Sequence, residues 1–121
     1  MLVGCSSGSG TAATELKEGD TVKIGLNYEL SSAVASYGQA EYKGATLAIK
    51  ENNANKDSKY KIKAVKMDNK GDASESTSAA TKLMTEDSVA FIVEPATSGA
   101  SIATYPVADQ NQVPVISPSA T

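Results

Sequence analysis

Apolar positions acquire a clear period only at Thr21, from where Val22, Ile24 and Leu26 alternate with polar or small neighbours as far as Tyr28. A period of two turns one face toward a core, so this stretch predicts a first strand, followed by a loop at Ser31-Ser32-Ala33. Ala40, Gly44, Leu47 and Ala48 then recur at helical spacing, with Glu41, Lys43 and Lys50 away from them. This predicts a helix packed through the first set. Asn52-Asn53-Ala54-Asn55 reads as breakers and a turn. From Tyr60 to Met67 apolar or small residues alternate with lysines. That pattern predicts a strand with one solvated face near a sheet edge, where exposed lysines discourage edge pairing.

Asp68-Asn69-Lys70-Gly71 supplies the next turn, and Asp72 followed by Glu75 is a helix start of the capping-box kind. A second helix is predicted to run to about Glu86, with Ala73, Ala80, Leu83 and Met84 as its buried stripe. Val89 to Val93 is continuously apolar, as expected of a central strand covered on both faces. A third helix is expected through Ala100, Ala103 and Val107, kinked or restarted at Pro106, and Val113 to Ser117 predicts a fourth strand. Strands alternating with helices in this way predict an α/β fold built on a parallel, Rossmann-like sheet with flanking helices. Ligands bind such sheets at the carboxyl ends of the strands. The loops Leu30 to Gly38, Glu94 to Gly99 and Ser117 to Thr121 occupy those ends.

A chain of 121 residues suffices for one compact domain and is too short for two lobes with a cleft between them. With 40% hydrophobic and 21% charged residues it is expected to fold. A net charge of −3 offers no basic surface for nucleic acid. The lack of histidine removes the commonest general base and a principal zinc ligand, so neither a metal site nor a catalytic centre is expected. No glycine-rich phosphate motif follows the first strand, Ser98 has no histidine partner, and no cofactor is implied. A cap and a strand end account for Asp68, Asp72 and Glu75. A small α/β enzyme with a flavodoxin-like sheet would need a titratable catalytic group, and none is evident.

The loops have chemistry of their own. Thr97, Ser98 and Gly99 stand where a helix begins, so hydroxyls and free backbone N–H groups there could receive a carboxylate, or simply cap the helix. Ser117, Ser119 and Thr121 alternate along one segment, offering hydroxyl donors and carbonyl acceptors, or an ordinary polar turn around Pro118. Tyr37 could form an aromatic wall or pack at the start of the first helix.

At the amino terminus, Leu2-Val3-Gly4-Cys5 resembles the lipobox of bacterial lipoproteins, in which the cysteine carries lipid. Ser6 to Thr14 is small and polar, as a flexible tether would be. Only four residues precede Cys5, fewer than a secretory signal needs, so residues 1–20 are expected to be a signal remnant and tether. Residues 21–121 are then a partial ligand-binding lobe.

Four phrases carry a wider resemblance: Val34-Ala35-Ser36-Tyr37-Gly38, Asp68-Asn69-Lys70-Gly71-Asp72, Pro95-Ala96-Thr97-Ser98-Gly99 and Val113 to Thr121. In this order and spacing the chain resembles the type I periplasmic binding proteins of branched-chain amino-acid ABC importers. The resemblance implies part of the amino-terminal lobe of a bilobed receptor that closes on its ligand. It implies that Thr97 and Thr121 hold the ligand's α-carboxylate, with Ser98 as a lesser neighbour, and that the Ser119 carbonyl accepts from its ammonium. Tyr37, Pro95 and Ala96 match positions bordering the side-chain pocket. Where the family usually carries Gly-Pro, this chain has Ser32-Ala33. The implied function is an extracytoplasmic lipoprotein at the outer face of the membrane, delivering a branched-chain or other aliphatic amino acid to an ABC permease. A ligand-sensing regulatory domain of the same fold, or a receptor for another small polar solute such as an amide, are the alternatives.

Overall fold

The computed structural model describes residues 15–93 and 95–121; Cys5 and the proposed tether lie outside them. Elements follow one another as β1 (Thr21–Tyr28), α1 (Ala35–Ala54), β2 (Lys61–Asp68), α2 (Ala73–Thr85), β3 (Phe91–Val93), α3 (Ser98–Asn111) and β4 (Val115–Ile116). The strands form one parallel sheet in the order β2-β1-β3-β4. The expected α/β architecture is therefore present, with the lysine-rich β2 at an edge and β3 inside the sheet.

The alternation in β1 sends its apolar side chains to one of two layers that sandwich the sheet and leaves Gly25 and Asn27 on the other face. Ile24, Leu26 and Tyr28 pack with Tyr42, Ala45 and Ile49 of α1 and with Phe91 and Val93 of β3. On the opposite face, Ala80, Leu83 and Met84 of α2 pack with Ile92 and with Ala108 of α3. Leu83 and Ile92 are fully buried, each worth about 1.5–3 kcal/mol of hydrophobic stabilisation. α2 comes close to the sheet at Gly25, where a Cβ would stand 3.0 Å from both Leu83 and Ile92. Among the described residues no helix is long and apolar enough to cross a membrane.

Several expectations are corrected in detail. α1 buries Gly38 and packs through Tyr42, Ala45 and Ile49, whereas Ala40, Gly44 and Ala48 are exposed and Leu47 is 57% exposed. Apolar residues occur on both sides of this helix, so spacing alone did not identify the side that meets the sheet. Asn52 to Ala54 are not a turn but the last residues of α1. Their side chains tie the helix to β2: Asn53 donates to the Ile62 carbonyl and accepts from the Ile62 amide, both at 2.8 Å, and Asn52 donates to the Tyr60 carbonyl.

In β2 the alternation slips at Ala64-Val65. Ile62 consequently joins the α1 layer while Val65 and Met67 join the other, and neither face is wholly solvated. In α2, Asp72 accepts from the Glu75 amide at 2.9 Å as expected, but Ala73 is exposed and Ser76 takes its place on the buried side. Phe91 and Val93 are only half-buried. α3 continues through Pro106, and β4 is shorter than the predicted run.

Candidate functional site

Parallel strands bring the ends of β1, β3 and β4 to one rim, where Glu29 joins the loop after β1 to the loop after β3 and Ser119 and Thr121 join the loop after β4 to the same segment. Glu29 directly follows β1 and is fully buried. Its carboxylate accepts from the Ala96 amide at 2.8 Å, the Thr97 amide at 3.0 Å and the Thr97 hydroxyl at 2.7 Å. Its backbone also sets the entry of α1, because a Cβ at Gly38 would lie 2.2 Å from the Glu29 carbonyl oxygen. Only glycine lets the first turn of α1 come this close.

The β2 end is clamped to the same rim. Asp68 accepts from the Leu30 and Lys70 amides at 3.0 and 2.9 Å, and the Asn69 amide donates to the Tyr28 carbonyl at 3.0 Å. Desolvation works to raise the Asp68 pKa, but hydrogen bonds from the Ser31 hydroxyl and from the Lys70, Leu30 and Ser31 amides outweigh it and hold the carboxyl below its ordinary value. Asp72 caps α2 and Glu75 lies 3.6 Å from Lys70, so all three acids considered from the sequence have structural partners. Beneath the rim, buried Asn27 donates to Ser76, and Ser76 meets Thr104 at 3.1 Å, linking β1, α2 and α3. Burial, together with the nearby Glu41 and Glu29, pushes the Tyr28 phenol up to about 12.

The predicted ligand residues separate into those that face inward and those that stand at the rim. Thr97 occupies the N-cap position of α3, yet its side chain caps no helical amide, because the hydroxyl is committed to Glu29. Pro95 is fully buried, and its carbonyl accepts from Ser101 at 3.1 Å and Ser117 at 3.0 Å. Ala96 is half-buried, with its amide on Glu29 and its carbonyl accepting from the Ser119 hydroxyl at 2.9 Å. Ser98 and Thr121 are joined reciprocally: the Ser98 hydroxyl donates to the Thr121 carbonyl and accepts from its amide, each at 3.1 Å. Ser119 also donates to Glu41 of α1, whose second carboxylate oxygen is buried without a partner among the described residues. Tyr37 stands at the start of α1 on the same rim and is 67% exposed, with no side-chain hydrogen bond to the cluster among the described residues.

The rim thus presents a helix N-terminus that no side chain caps among the described residues, with the Ser98 hydroxyl and Thr121 side by side. The first amides of a helix lack internal acceptors, so this arrangement suits a small anion. Sequence reasoning missed Glu29 and Glu41. An acid placed at the end of an apolar strand was a visible signal for Glu29, but its donors lie 67 and 68 positions away.

The periplasmic binding protein family profile matches residues 21–121. None of the curated proteins matches significantly. Among solved structures, the branched-chain amino-acid transporter binding protein LivJ of Streptococcus pneumoniae, in complex with isoleucine, is 48% identical with a TM-score of 0.79. That match covers 84% of this chain and 29% of the other. A solute-binding protein of Rhodopseudomonas palustris in complex with 3,4-dihydroxybenzoic acid is 28% identical, with a TM-score of 0.75 over 83% of this chain and 27% of the other. The leucine-binding protein LivK of Thermotoga maritima, at 24% identity and a TM-score of 0.76 over 83% of this chain and 28% of the other, shares the fold. This chain therefore spans less than a third of the length of these neighbours. With a family match running from the first strand to Thr121 and a sheet of the same architecture beneath it, the chain belongs to the periplasmic binding protein family.

Proposed function

We propose that this chain forms part of the amino-terminal lobe of a bilobed extracytoplasmic receptor that captures an aliphatic amino acid for an ABC permease. The observation that carries the reading is the Ser98–Thr121 pair at the uncapped start of α3. The ligand's α-carboxylate accepts from the Thr121 side chain, from the first amides of α3, where the helix dipole favours negative charge, and from the Ser98 hydroxyl, which turns its single proton from the Thr121 carbonyl to the ligand. The Ser119 carbonyl accepts from the ammonium. Thr97, Pro95 and Ala96 back the site from below, and Tyr37 forms its outer edge. Isoleucine in the 48% identical neighbour supports an aliphatic amino acid.

The test is titration calorimetry with L-isoleucine on the complete receptor. Ser98→Ala and Thr121→Val are each expected to lose about 1–3 kcal/mol of binding, the cost of leaving a buried carboxylate oxygen unpaired. Unchanged affinity in both variants would remove this assignment. The 28% identical neighbour with bound 3,4-dihydroxybenzoic acid favours a second reading, an aromatic carboxylic acid held by the same donors. Binding of 3,4-dihydroxybenzoate without binding of isoleucine would select it.

We further propose that Cys5 carries the lipid that anchors the receptor to the outer face of the membrane, followed by a flexible tether. Replacing Cys5 with Ser is expected to move the protein from the membrane fraction to the soluble one; retention in the membrane fraction would sink this reading.

A further inference from the structure

We propose that Glu29 is a positioning residue for the carboxylate subsite: it binds the Thr97 hydroxyl internally, and so keeps the N-terminus of α3 uncapped for the ligand. The inference rests on the reading of that subsite given above. A fully buried carboxylate needs compensation, and Glu29 receives it from three donors, all belonging to Ala96 and Thr97. These two residues lead directly into α3. A threonine at an N-cap position ordinarily turns its hydroxyl to a helical amide two or three residues on. Thr97 has the extended backbone of an N-cap, φ −101° and ψ 141°, but its hydroxyl points to Glu29 at 2.7 Å instead. Among the described residues the helix is left without a side-chain cap at the place where Ser98 faces Thr121.

Glu29 therefore acts on ligand binding through two steps. It withdraws the protein's own cap, which would compete with a ligand carboxylate for the same amides. It also fixes the 96–97 backbone, and Ala96 in turn holds Ser119 through a 2.9 Å hydrogen bond. Because Gly38 packs on the Glu29 backbone, the same residue joins the start of α1 to this arrangement.

The experiment is a double-mutant cycle on the complete receptor with L-isoleucine as the probe, read by calorimetry, with thermal unfolding followed in parallel. Glu29→Gln replaces one acceptor oxygen by a donor that faces N–H groups, freeing the 96–97 segment. It is expected to weaken isoleucine binding about tenfold or more. Because both act through one subsite, its effect shrinks to less than threefold in a Ser98→Ala background. A role confined to stability would lower the unfolding temperature and leave the affinity of the folded receptor unchanged. Should Glu29→Gln fail to fold, Thr97→Ser and Thr97→Val carry the test. Serine, which keeps the donor, is expected to bind within threefold of the parent; valine, which cannot cap α3 but no longer anchors the 96–97 backbone to Glu29, is expected to bind more weakly than serine, and equal binding by the two would overturn the positioning role. A folded Glu29→Gln receptor that binds isoleucine as the parent does, or additive effects with Ser98→Ala, overturns the inference while leaving the subsite reading intact. If Ser98→Ala itself has no effect, the subsite reading fails and the inference falls with it.

Discussion

Ser32 shows how a single position can keep a backbone shape that its side chain does not favour. It has φ 81°, in the left-handed region where glycine is at ease and other residues are strained. The family resemblance places the glycine of a Gly-Pro pair at this point. The Ser32 hydroxyl lies near Gly71, itself at φ 73°, where an added Cβ would stand 3.0 Å from it. Replacing Ser32 with Gly is expected to raise stability by up to about 1 kcal/mol, the relief of strain less the entropy of a freer unfolded chain. A shift of the denaturant midpoint to higher concentration would show this. A shift to lower concentration would mean that the serine hydroxyl contributes more than the strain costs. Glu29 belongs to the same scale: its place at the end of an apolar strand is visible in the sequence, but its partners at Ala96 and Thr97 are not.

At the scale of elements, legibility followed the kind of force involved. β1 and the start of α2 were readable because each depends on local rules: alternation for the strand, and an aspartate three residues before an available amide for the helix. The end of α1 was misread because asparagine is a helix breaker only when its side chain competes for local backbone groups. Asn53 instead reaches the amide and carbonyl of Ile62 and so extends the contacts of an edge strand. The buried side of α1 was misread for a related reason. A helix with apolar residues on two sides packs through whichever side the sheet presents, and here that side is set by Tyr42, Ala45 and Ile49 against Ile24, Leu26 and Tyr28. Similarly, the short β4 reflects partner availability, since only Ile92 and Val93 of β3 pair with it.

At the scale of the whole molecule, the sheet is not equally covered on its two faces. α2 and α3 pack together over one face, while the α1 side leaves an open groove of about 370 Å³ bordered by Tyr28, Glu41, Ala45, Val93 and Pro118. Ile116 and Leu47 are 61% and 57% exposed. In the proposed bilobed receptor, the second lobe would complete the rim at the carboxylate subsite and exclude water from a bound zwitterion. Accordingly, this 121-residue chain by itself is expected to bind isoleucine at least a hundredfold more weakly than the complete receptor, as measured by calorimetry on both. Equal affinities would contradict the two-lobed mechanism.

By itself, the sequence determined the alternation of strands and helices, the parallel α/β class and the stretch of chain that resembles the binding-protein family. It also located the three loops at the strand ends. Those features depend on residues near one another in the chain, through periodicity, caps and turns. Tertiary structure alone decided that Thr97 turns inward, that Ser98 meets Thr121 across 23 positions, and that Glu29 draws on donors from beyond β3. A hydroxyl's partner depends on which groups folding brings within about 3 Å, and that distance is set by the packing of the sheet rather than by the spacing of residues along the chain.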